Sequence, residues 1–232
     1  MCFCFADYLQ NNYADACDMQ INIHIHLDQP MVDMLQHGPY DAVLVRAWMR
    51  QYGLFQGITR QQRIDIANRF LQFAQDQVAQ DQVAGDQVAA EPDAGRIQAL
   101  YGTLLHALHN EVPRSWVSAT SKLLWCLYPN TIIIYDAFVH RALVVMQCID
   151  DDLRGFPRIG TAPPINAELA IANAVQHYMN YQCMVRRLLQ IHALRLQDLG
   201  LQHNNAYPYD VRIMDKVLWM IGNPNFPHHG EV

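Results

Sequence analysis

Apolar residues recur at three- and four-residue spacing along most of this chain, the signature of successive amphipathic helices. The pattern predicts a first helix from about Phe5 to Met19. Ile21-Asn-Ile-His-Ile-His-Leu27 then alternates strictly, which predicts a half-buried strand ending at Asp28-Gln-Pro30. Met31 to His37 reads as a short helix closed by Gly38-Pro39. From Tyr40 to Tyr52, the residues Val43, Leu44, Ala47 and Trp48 form one stripe, with Gly53 placed to end the helix in a left-handed conformation. Thr59 and Gln62 have the spacing of a capping box and open a helix carrying Ile64, Ile66, Ala67, Phe70, Leu71 and Phe73.

That helix runs into a pentapeptide repeat over residues 75–89: Gln-Asp-Gln-Val-Ala twice, then Gly-Asp-Gln-Val-Ala. A period of five matches neither helix nor strand, so the repeat builds no face and is expected to be a solvated extension or linker. Pro92 suits the first turn of the next helix, about Asp93 to Asn110, with Ile97, Leu100, Tyr101, Leu104, Leu105 and Leu108 on one side. A further helix, about Trp116 to Tyr128, stops at Pro129-Asn130, and Thr131 to Tyr135 is short and extended. Asp136 sits at an N-cap before the helix of Phe138, Val139, Ala142 and Leu143. Asp150 to Pro164 reads as a loop, Asn166 to about Leu196 as a long helix, and Asp210 to Ile221 as the last one. The expected architecture is mainly α, a compact helical fold with one or two short strands. Residues 1–91 form an N-terminal helical region and residues 92–232 a second one, and the two are able to pack as a single domain.

Composition narrows the class. The chain has 232 residues, 51% of them hydrophobic and 16% charged, which suits a substantial core. No apolar run approaches the roughly 18 residues that span a bilayer, so no membrane partner is expected. The start is apolar and soon acidic, unlike a signal peptide, and the protein is expected in the cytoplasm. Its six cysteines include no Cys-x-x-Cys pair, so neither a disulfide framework nor a zinc site is expected, and no cofactor is implied. A net charge of −6 at pH 7 argues against a generic nucleic-acid binder, while leaving room for a local basic face.

The chain has only two lysines, Lys122 and Lys216, against 14 arginines. Lys122 lies in the apolar stretch Ser118-Ala-Thr-Ser-Lys122-Leu-Leu-Trp-Cys-Leu-Tyr-Pro129, followed by Ile133-Ile-Tyr-Asp136. Apolar surroundings disfavour the charged amine and lower its pKa, and a neutral amine forms Schiff bases. The competing reading makes Lys122 an ordinary helix residue and Asp136 simply a cap.

This Lys122–Asp136 motif, with Ala137-Phe-Val-His-Arg-Ala-Leu after it, resembles the central motif of bacterial proteins similar to 8-oxoguanine DNA glycosylases. These belong remotely to the helix-hairpin-helix glycosylase superfamily. Arg212-Ile-Met-Asp215-Lys-Val-Leu-Trp219-Met-Ile-Gly222 resembles the closing segment of the same group. The resemblance covers roughly residues 96–222 and implies base excision on damaged or modified duplex DNA. Lys122 is then the nucleophile at C1′ and Asp136 the carboxylate that stabilises the cationic sugar. Trp116, Trp125 and Tyr128 are candidates to stack on a flipped base. The glycine-rich hairpin usual before the lysine is missing. Its place is taken by Asn110-Glu-Val-Pro-Arg-Ser-Trp-Val-Ser-Ala-Thr120, where Arg114, Ser115, Ser118 and Thr120 are candidates to hold a phosphate. The alternative is a helical binding protein without chemistry, for example in a phage-defence or mobile-element locus.

Other clusters read more plainly. His24 and His26 share a face if the strand forms, but no third metal ligand accompanies them. Asp150-Asp-Asp152 reads as a solvated helix end, and Arg186, Arg187 and Arg195 as a modest basic patch.

Overall fold

The computed structural model describes residues 4–19, 25–83, 91–160 and 168–226. These form α1 (Phe5–Met19), α2 (Ile25–His37), α3 (Ala42–Gln51), α4 (Arg60–Val83), α5 (Ala94–Glu111) and α6 (Val117–Leu127). The chain continues through α7 (Ala137–Ile149), α8 (Asp151–Arg154), α9 (Glu168–Ile191), α10 (Ala193–Gln202) and α11 (Asp210–Gly222). The fold is mainly helical, and no strand occurs among the described residues.

Helix starts follow local chemistry. The Thr59 N–H donates to Gln62 Oε1 at 3.0 Å and the Gln62 N–H to Thr59 Oγ1 at 3.3 Å, the reciprocal capping box expected before α4. Asp41, Asp93 and Asp136 each accept a backbone N–H in the first turn of α3, α5 and α7. Gly53 takes φ +67° just past α3, where a side chain would be strained.

Where it is described, from Ile25, the expected strand at residues 21–27 is helical. Residues 21–24 lie outside the described part, and Ile25 onward belongs to α2, which continues through Pro30. The reason lies further along. Asp28, Met31, Val32 and Leu35 are all buried, and their three- and four-residue spacing puts them on one helix face. The inward pull of that face outweighs the one ladder hydrogen bond that Pro30 cannot donate. The other expected short strand, Thr131 to Tyr135, is non-helical and buried but has no partner strand. The long helix expected from Asn166 breaks at His192, and α8 interrupts the expected loop after Asp150. Asn166 and residues 84–89 of the pentapeptide repeat lie outside the described residues, while the repeat's earlier part extends α4.

Buried apolar side chains form one continuous cluster from Phe5 to Met220, so the two sequence regions share a core. Tyr101 of α5 stacks on Tyr178 of α9 with centroids 3.9 Å apart, joining two of its central helices. α11 packs against α1, α7 and α9 and is buried nearly all round, as its apolar composition requires. Its crossing with α7 depends on Gly222. A Cβ there would lie 1.8 Å from the Phe138 carbonyl oxygen, which is backbone and unable to swing away. Replacing Gly222 with Ala should therefore destabilise the fold by about 1–3 kcal/mol, the usual cost of overpacking. Urea denaturation should show a lower midpoint, with α-helical content retained before the transition.

Candidate functional site

The site begins with how α6 holds the segment that follows it. Ser121 Oγ donates to the Ser118 carbonyl at 2.8 Å and accepts the Tyr135 N–H at 2.8 Å. α9 holds the same segment from the other side. Tyr178 Oη donates to the Ile133 carbonyl at 2.9 Å and Tyr181 Oη to the Ile134 carbonyl at 2.8 Å. Gln182 Oε1 accepts the Ile133 N–H at 3.3 Å, and its amide nitrogen donates to the Thr131 carbonyl at 3.3 Å. Asp136 emerges from this clamp, capping α7 by accepting the Phe138 N–H at 2.9 Å. Lys122 sits one residue past Ser121, and its Nζ donates to Ser118 Oγ at 2.6 Å.

α11 supplies the opposite wall. Arg212, Asp215, Lys216 and Trp219 follow i, i+3, i+4, i+7 spacing and so share one helix face. Together with Tyr52, Lys122 and Asp136 they line a pocket of about 190 Å³. Arg212 and Asp215 form an ion pair in which both side chains are only 6% exposed. The guanidinium also lies over the Trp125 ring at 5.3 Å and 3.4 Å from Tyr52 Oη. Tyr52 in turn donates to Asp28, which also accepts Trp48 Nε1–H at 2.7 Å. Lys216 Nζ rests 4.1 Å from the centroid of the Trp219 ring. Both lysines of the chain, distant in sequence, thus open into one small cavity.

Burial governs the charges there. It pulls the Lys122 amine below the ordinary lysine value, against the opposing attraction of Asp136 and Asp215. Lys216 is lowered to about 8, first by burial and then by Arg212. Asp215 is raised to about 6, again by burial, with Arg212 resisting the shift. Asp215 Oδ1 is buried and accepts no hydrogen bond among the described residues, because the ion pair engages Oδ2. The arrangement offers an amine for covalent bonding and a carboxylate of near-neutral pKa within one cavity.

The residues expected from sequence divide into two groups. Lys122 and Asp136 line the pocket, Ser118 holds the Lys122 amine, and Trp125 lies behind Arg212. The rest face other surroundings. Arg114 donates to the Gln56 carbonyl at 2.8 Å and covers the Trp116 ring at 4.7 Å. Trp116 is buried, with its indole N–H on the Val112 carbonyl at 2.9 Å. Ser115 is exposed, Thr120 is fully buried, and Tyr128 is buried under Arg96. None of these five lines the pocket. Tyr52, Arg212, Asp215 and Lys216 were not expected as site residues. The last three carry a readable signal, since three charged side chains on one face of an otherwise apolar helix need partners. Tyr52 carries none.

No protein-family model matches the chain, and no curated protein or solved structure matches it either.

The Lys216 shift has a thermodynamic consequence. The folded value of about 8 lies below the ordinary 10.5, so between these the unfolded chain binds the extra proton and stability rises with pH. Comparing Lys216→Met with the unmutated protein by urea denaturation across this window should remove that part of the slope. An unchanged slope would place Lys216 in water.

Proposed function

We propose that the pocket is the active site of a lysine-dependent DNA glycosylase/lyase that removes a damaged or modified base. The observation that carries this reading is the convergence of both lysines, Asp136 and Asp215 on one cavity in which burial favours a neutral Lys122 amine. The resemblance of the Lys122–Asp136 motif to bacterial 8-oxoguanine glycosylase-like proteins supports the same assignment. The volume of about 190 Å³ is below the roughly 300–1,000 Å³ of ordinary small-molecule sites, and suits a sugar better than a whole nucleotide.

The chemistry follows from the groups present. The Lys122 lone pair attacks C1′ and the base departs with the C1′–N electron pair. The sugar ring then opens, and the amine and C1′ share a protonated Schiff base. Asp136, fixed as the α7 cap, faces the positive charge that develops at C1′. Loss of a C2′ proton expels the 3′ phosphate, and hydrolysis frees the lysine. A cytoplasmic location agrees with DNA as the substrate.

A binding protein without chemistry is the second reading, and one specific observation favours it. Arg114 and the arginines of the α9–α10 basic patch, the candidates offered by the sequence, are taken up by the protein itself. Arg114 binds the Gln56 carbonyl, Arg186 the Thr131 carbonyl, Arg187 pairs with Asp152 and Arg195 donates to Gln10.

Borohydride trapping on duplexes carrying abasic sites and a panel of oxidised or alkylated bases separates the two. The enzyme reading expects a covalent adduct that maps to Lys122 by peptide mass spectrometry and is lost in Lys122→Ala. If no duplex gives an adduct, the second reading stands; an adduct undiminished in Lys122→Ala defeats the assignment of Lys122 as the nucleophile.

A further inference from the structure

The same pocket holds a second carboxylate whose geometry differs from that of Asp136. Asp136 uses Oδ1 on the Phe138 N–H at the start of α7. Asp215 lines the pocket and is anchored through Oδ2 by Arg212, and its Oδ1 is buried with no hydrogen-bond donor among the described residues. A buried oxygen without a donor is costly, and such a group on a pocket residue is suited to meet a ligand's hydrogen.

We propose that Asp215 is the proton acceptor of the elimination step, with Oδ1 removing the C2′ hydrogen of the sugar joined to Lys122. The inference rests on the lysine-adduct reading above and assigns a role that the motif alone does not. Electrons and atoms balance within the site. The C2′–H pair becomes the C1′–C2′ double bond as the iminium electrons shift to nitrogen. The enamine pair then forms the C2′–C3′ double bond, the C3′–O bond breaks, and the 3′ phosphate leaves with that pair. The proton resides on Asp215 and returns to water after product release.

Several features of the pocket fit this role. Burial raises Asp215 to about 6, which makes it a stronger base than an ordinary carboxylate while leaving it ionised at neutral pH. The Arg212 ion pair fixes its orientation. The groups that face it are Arg212 and Lys216 on α11, Lys122 on α6, Asp136 before α7, and Tyr181 on α9. Among them Lys122, Lys216 and Arg212 favour the ionised form, and Asp136 opposes it.

The test follows adduct formation and strand cleavage separately on an abasic-site duplex. With Asp215→Asn, trapping at Lys122 should persist while cleavage slows about 10²–10⁴-fold, the range for loss of a positioned proton acceptor. A persisting adduct also shows that the pocket is folded. Lys216→Met supplies an independent readout that keeps Asp215 and its Arg212 anchor. Removing that cation should move the acidic limb of the cleavage profile from near pH 6 to higher pH. Cleavage at the unmutated rate in Asp215→Asn, or an acidic limb unmoved in Lys216→Met, overturns the assignment while leaving the lysine reading intact. If Asp215→Asn does not fold, the Lys216→Met profile decides. Absence of any adduct in the unmutated protein defeats both.

Discussion

A buried extended segment that has no neighbouring strand among the described residues is the constraint around which this fold is arranged. Ile132 to Tyr135 passes through the interior, and the peptide groups that a β-ladder would pair must be satisfied some other way. Each unpaired one would cost about 1–3 kcal/mol. Tyr178, Tyr181 and Gln182 of α9, together with Ser121 of α6, provide the partners. The segment is consequently clamped between two helices, and Asp136 leaves it at a fixed point. The position of Asp136 relative to Lys122 is thus set by hydrogen bonds from residues that do not line the pocket.

The second constraint is electrostatic. α11 carries Arg212, Asp215 and Lys216 into surroundings that are otherwise apolar. A buried ion pair seldom adds to stability over an apolar replacement, because desolvation offsets the attraction. Here the guanidinium is distributed over Asp215, Tyr52 and the Trp125 face, and the Tyr52 contact extends to Asp28 on α2. The polar chain ties α2, the end of α3 and α11 into one network. It also biases the pocket toward a neutral amine and a basic carboxylate, conditions that covalent lysine chemistry needs.

Much of the helical scaffold could be read directly. The Thr59–Gln62 box and the Asp136 cap depend on residues a few positions apart, and both form. Local patterns misled where an inward-facing polar residue took part. Ile25 to Leu27 continues an alternating run, yet Asp28 must point inward to receive Trp48 and Tyr52, and that imposes helical spacing. Arg114, Trp116 and Tyr128 do not line the pocket, for a related reason. They are close to Lys122 in sequence, but they lie before α6 or at its C-terminal end, and only one face of a helix reaches a given cavity.

Local pattern in the chain foretold most of the helices, the Thr59–Gln62 and Asp136 caps and the rarity of lysine, because propensity, capping and periodicity act over a few residues. It also marked Lys122 and Asp136 as neighbours through a short return of the chain. Packing in three dimensions brings Lys216 and Asp215 to the cavity of Lys122 and leaves Asp215 one oxygen without a donor among the described residues. Those facts arise from the close crossing of α7 and α11 at Gly222 and from the burial it brings. Burial acts through space, and it lowers both lysines and raises Asp215 from their ordinary values.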